Sequence, residues 1–80
     1  MSTLDELRRN IARVTRCSEQ EINAETALKD IKADSLHWVQ ILVGVENALD
    51  IEIDMDRERM KEITTVGDFV KYIESFIKQN

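Results

Sequence analysis

The sequence predicts an all-α fold, a small four-helix bundle with a short third helix and a long loop between helices one and two. Three observations carry that prediction. The 80 residues contain no Pro and only Gly44 and Gly67, so the usual turn punctuation is scarce. Three segments repeat apolar residues at the three-to-four-residue spacing of a helix face. The single alternating stretch, Ile51-Glu52-Ile53-Asp54, is too short for a stable strand and has no partner strand in the chain, so it reads as an extended connection.

The first helix is expected to open at Thr3-Leu4-Asp5-Glu6, which fits a capping box of Thr hydroxyl and Glu carboxylate. Leu4, Leu7, Ile11 and Val14 then line one face to about Arg16, and Arg13 and Arg16 suit the negative pole of the helix dipole. Residues 17–34 form a long connection in which Ser18-Glu19-Gln20-Glu21, a second capping-box pattern, opens a short turn. Ile22, Leu28 and Ile31 are expected to pin this loop to the core. A loop of this length in so small a domain more often serves function than structure. The second helix should run from about Ser35 to Leu49, and a short third helix should lie within 56–62 and carry Met60. Thr65-Val66-Gly67-Asp68 opens the last helix. Its face of Val66, Phe69, Val70, Ile73, Phe76 and Ile77 is the clearest amphipathic pattern in the chain.

Length and composition set limits on function. Residues 1–80 make one domain with one modest core, short for a scaffold that must wall off a catalytic cleft. Hydrophobic residues at 42% and charged residues at 34% mark a soluble globular chain. Eleven Lys and Arg against 16 Asp and Glu give a net charge of −5, which argues against nucleic acid and toward basic protein surfaces. The sequence shows no membrane span and no signal-peptide pattern. One cysteine, Cys17, cannot form an internal disulfide, and with His37 it is too little for a structural zinc site. The expected address is the cytoplasm.

The second helix carries two apolar stripes. At about 100° per residue, Trp38, Ile41, Leu42, Val45 and Leu49 share one side, while Leu36, Val39 and Val43 fall roughly 120° away. The second stripe is either additional core or an exposed docking surface. Ser35, at the head of this helix, is either a cap or a reachable hydroxyl where free amides and the dipole favour a phosphate group. A nucleophilic serine is disfavoured, because the single His, His37, is two positions on and points elsewhere on a helix.

Asp30-Ile31-Lys32-Ala33-Asp34-Ser35-Leu36 resembles the modification motif of the acyl carrier proteins, in which the serine bears a 4′-phosphopantetheine arm. The resemblance continues through Val39, Glu46, Leu49-Asp50-Ile51-Glu52-Ile53 and Glu62-Ile63-Thr64-Thr65-Val66, and extends to length, acidity and the long first loop. It implies a non-catalytic carrier. A phosphopantetheinyl transferase would move the arm from coenzyme A to Ser35, flanked by Asp34 and Leu36, and the arm would present acyl thioesters to partner enzymes. The resemblance further implies that Leu36, Val39, Val43, Glu46 and Ile53 meet basic surfaces of acyl-loading, condensing or acyltransferase enzymes. Trp38, Leu42, Val45, Leu49 and Phe69 would border an acyl-chain pocket. A monomer is expected.

The chain departs from that pattern at several positions. Lys32 stands where common fatty-acid-synthesis carriers have Gly, and His37, Gln40, Asn47 and Ala48 stand where they have acids. Trp38 replaces a small residue and would fill or reshape the pocket. These changes imply a specialised carrier. Aminoacyl, peptidyl or D-alanyl carriers share the arm, and a plain helical adaptor with Ser35 as cap is the non-carrier alternative. An EF-hand reading of the acids from Asp50 to Glu58 fails, since Met55 and Lys61 occupy the positions that need Gly and Glu.

Overall fold

The computed structural model describes residues 2–77. It contains helices α1 (Thr3–Thr15), α2 (Ser35–Leu49), α3 (Arg57–Met60) and α4 (Val66–Glu74), with no strand among the described residues. No helix among them is long and apolar enough to cross a membrane.

The start of α1 differs from expectation by one residue. Ser2 is the cap: its hydroxyl accepts from the Asp5 amide at 3.1 Å, and Asp5 Oδ2 accepts from the Ser2 amide at 3.4 Å. Thr3 and Glu6, expected to form the box, are instead turned inward and buried. Arg16, in a left-handed conformation with φ 61°, ends the helix, and the Cys17 amide closes back on the Ala12 carbonyl at 3.1 Å.

The long loop is stitched down rather than structureless. It contains two 3₁₀ turns, Glu19–Glu21 and Leu28–Asp30. Ser18 caps the first by accepting from the Gln20 amide at 3.2 Å, without the reciprocal half of a capping box. Ile22 is fully buried, and Leu28 and Ile31 pack against the core. The amides of Leu28, Val66 and Gly67 donate to the carbonyls of Thr64, Thr26 and Ala24, which ties the loop to the entry of α4.

Leu7 and Ile11 of α1, Ile41 and Val45 of α2, and Val66, Phe69 and Ile73 of α4 form the centre of the core. The α1–α2 contact is close because Gly44 faces Asn10: a Cβ there would lie 2.0 Å from Asn10 Oδ1. Asn10 is buried and donates from Nδ2 to the Glu6 carbonyl at 2.8 Å.

Thr65 and Asp68 form the reciprocal cap of α4. Asp68 Oδ2 also accepts from the Thr64 amide and hydroxyl, and these bonds, led by the Thr64 amide, hold its carboxyl below the usual carboxylate range. The α-helix stops at Glu74, short of Ile77. The amides of Phe76 and Ile77 bond three residues back, so the last turn tightens into 3₁₀ geometry while Phe76 keeps its place against the core.

Candidate functional site

The head of α2 is built by Asp34 and His37. Asp34 Oδ1 accepts from the His37 amide at 2.9 Å, and His37 Nδ1 accepts from the Asp34 amide at 3.3 Å. An imidazole thus fills the role that Glu or Gln usually plays in a capping box. Ser35 is consequently not the cap. It is the first helical residue, exposed, and no hydrogen bond engages its hydroxyl among the described residues. Helix geometry leaves the Ser35 and Leu36 amides without a carbonyl partner inside α2. Free amides, a positive dipole end and an exposed hydroxyl fit a phosphodiester at this position. They do not make a Ser–His nucleophile, because no hydrogen bond joins the His37 imidazole to the Ser35 hydroxyl among the described residues.

The two stripes of α2 separate cleanly. Ile41, Leu42 and Val45 are buried, with Trp38 and Leu49 partly so, while Leu36, Val39 and Val43 are 64%, 56% and 48% exposed. Gln40, Asn47 and Ala48 are exposed and uncharged. Glu46, the one acid between Ser35 and Leu49, accepts from the Ile53 amide at 2.7 Å. That bond draws residues 51–54 across the end of α2 and seats the Ile53 side chain in the core, only 9% exposed. Ile53, which the resemblance implies meets partner surfaces, therefore has its side chain turned into the core.

A description of the phosphopantetheine attachment site matches residues 5–73, nearly the whole of the described chain. The acyl carrier protein of Lactococcus lactis subsp. cremoris is 35% identical over 57 residues, covering 71% of this chain and 73% of its own length. That of Streptococcus pyogenes serotype M3 is 38% identical over 55 residues, 69% of each. The chain belongs to the acyl carrier proteins.

In this acyl carrier protein Trp38, Leu42, Val45, Leu49 and Phe69 all belong to the core cluster or pack against it. The Trp38 ring lies 5.7 Å from that of Phe69, which is 1% exposed, and Leu42 and Val45 close in behind. A half-open groove of about 340 Å³ lies elsewhere, between the end of α1 and the long loop, where Cys17, Ile22, Ile31 and Lys32 border it.

Two residues that sequence reasoning left without a role, Tyr72 and Arg59, tie α4 to the segment that follows α2. The Tyr72 hydroxyl donates to the Asp54 carbonyl and accepts from the Asp56 amide at 3.0 Å. The Arg59 guanidinium lies 4.7 Å from the Tyr72 ring centre and 5.9 Å from that of Phe76, and donates to Ser75 Oγ at 3.3 Å. Tyr72 falls outside the apolar face read from the last helix's spacing, and nothing local to Arg59 announces its partners.

Proposed function

We propose that Ser35 is the residue that receives 4′-phosphopantetheine, and that the protein uses it to carry acyl groups between enzymes of fatty acid, lipid or polyketide synthesis. The observation that carries this reading is the exposed, unengaged Ser35 hydroxyl at the first position of α2, with capping supplied by Asp34 instead. In the loading step a phosphopantetheinyl transferase removes the Ser35 proton, and Ser35 Oγ attacks the pantetheine-side phosphorus of coenzyme A. A serine O–P bond forms as the bond to the adenosine half breaks, so adenosine bisphosphate leaves. The free amides of α2 face the resulting negative charge. When bound, the arm supplies a thiol that holds acyl groups as thioesters. The protein itself catalyses no step and acts as a monomer in the cytoplasm, in keeping with its single cysteine.

Partner enzymes meet α2 through Leu36, Val39 and Val43. Glu46 accepts from the Ile53 amide, so exposed charge for a basic partner lies at the ends of α2, on Asp34 and on the flanking acids Asp50, Glu52 and Asp54. Contact here is chiefly apolar, with charge acting at the rim, which supports a carrier with its own set of partners.

Intact-protein mass after incubation with coenzyme A and a broad-specificity transferase tests the reading on wild type and Ser35→Ala. One added phosphopantetheine on wild type alone is expected. Failure with both that enzyme and a transferase from the protein's own source would leave the helical adaptor as the function.

A further inference from the structure

We propose that Trp38 closes the α2–α4 side of the core, so that this carrier serves short or polar acyl groups that stay outside the bundle. The proposal rests on the carrier reading of Ser35. Trp38 is the first inward side chain of α2 after Ser35, and so the first that a chain entering from the serine would meet.

Its ring begins a row. Trp38 and Phe69 are 5.7 Å apart, Phe69 and Tyr72 6.3 Å, and Tyr72 and Phe76 5.1 Å, the last pair edge to face. These are all four aromatic residues of the chain, each in contact with the next from the first turn of α2 to the turn that follows α4. Spacings of this kind are those of mutually attracting rings, and flat rings in contact have few alternative rotamers to give way into.

The row is also fastened from outside. Tyr72 holds both the Asp54 carbonyl and the Asp56 amide, and Arg59 covers Tyr72 and Phe76. Both α3 and the connection that follows α2 are thereby tied to the rings. Ile41, Val45 and Ile73, in the same core, have no exposure at all. A long alkyl chain would have to part these contacts in series, whereas an acetyl-sized or polar group on the arm has no need to enter.

The test uses full-length protein loaded at Ser35 with a series of acyl groups from acetyl to palmitoyl, loading being verified by mass. Every buried methylene stabilises the fold, so a sheltered chain makes the melting temperature climb with length, and Trp38, the single Trp, shifts its emission. The expected result is a melting temperature and Trp38 emission that are the same along the wild-type series. Trp38→Leu should convert the flat series into a climbing one, and Trp38→Phe should keep it flat. A wild-type series that climbs with chain length overturns the proposal while leaving the carrier reading intact. So does a Trp38→Leu series that stays flat. Should Trp38→Leu not fold, the wild-type series alone decides. Absence of any mass gain at Ser35 is a different outcome, which removes the carrier reading and this proposal with it.

Discussion

Replacing Gly44 with Ala sets two effects of opposite sign against each other. Gly is the poorest helix former after Pro, so Ala in the middle of α2 gains about 0.8–1.0 kcal/mol if nothing stands in the way. Here something does: the new Cβ would sit 2.0 Å from Asn10 Oδ1 and 2.8 Å from Arg13 Nη2. Arg13 is exposed and can swing aside, but Asn10 is 5% exposed and bonded to the Glu6 carbonyl. Overpacking at such a contact costs about 1–3 kcal/mol. Displacing Asn10 forfeits a hydrogen bond worth about 0.5–1.5 kcal/mol. The clash outweighs the propensity gain, and Gly44→Ala should be destabilised by about 1–3 kcal/mol. In a domain of this size each kcal/mol moves the midpoint by about 4–8 °C. Thermal and urea unfolding followed by circular dichroism would show it, and Asn10→Ala should make the added Gly44→Ala change neutral or favourable. A Gly44→Ala protein more stable than wild type would refute the reasoning, since it would mean that α1 and α2 do not approach through Gly44.

Three further outcomes are expected. Asp34→Ala should lose about 0.5–2 kcal/mol of stability through its cap, whereas Ser35→Ala should stay within about 0.5 kcal/mol of wild type; calorimetry separates them, and equal losses would mean that Ser35 shares the cap. The Asp68 carboxyl is held below its ordinary range chiefly by the Thr64 amide, so its contribution is present above the unfolded carboxylate pKa and disappears as pH falls through the lower folded value. Asp68→Asn should therefore be less stable than wild type at neutral pH and match it in acid, and a gap that stays constant with pH in unfolding experiments would contradict this. Binding of loaded protein to a cognate enzyme should fall sharply on Leu36→Asp yet weaken little between about 0.05 and 0.5 M salt, where exposed charge pairs are screened. Surface plasmon resonance would read both, and a steep salt dependence would show that charge dominates the contact.

Much of the helix content and the place of Ser35 are legible in the sequence because both depend on local rules. The spacing of Trp38, Ile41, Leu42 and Val45 against Leu36, Val39 and Val43 separates two faces whatever α2 packs on. Thr65-Val66-Gly67-Asp68 announces the start of α4 for the same reason. Errors occur where neighbouring residues can play the same role. Ser2 and Thr3 both can cap, and which one does depends on whether Thr3 and Glu6 or Leu7 and Ile11 alone turn inward. At the head of α2 the cap is Asp34 rather than Ser35, and the His37 imidazole that completes it has no place in the usual pattern. The inward turn of Ile53 is not legible because the bond that seats it comes from Glu46, seven residues away in sequence and across the end of a helix.

The sequence by itself determined the fold class, the acidic character, the two faces of α2 and the place of Ser35 at the head of that helix. All of these follow from periodicity, charge and short motifs, which need no knowledge of what a segment packs against. Only the tertiary structure decided that Ser35 is left free of the cap, that Glu46 is engaged and Ile53 buried, and that four aromatic rings meet in one row. Those facts depend on contacts between segments distant in the chain, such as Trp38 with Phe69 and Tyr72 with Asp54 and Asp56. A side chain's neighbours across such distances are set by the packing of the whole core, which no local pattern encodes.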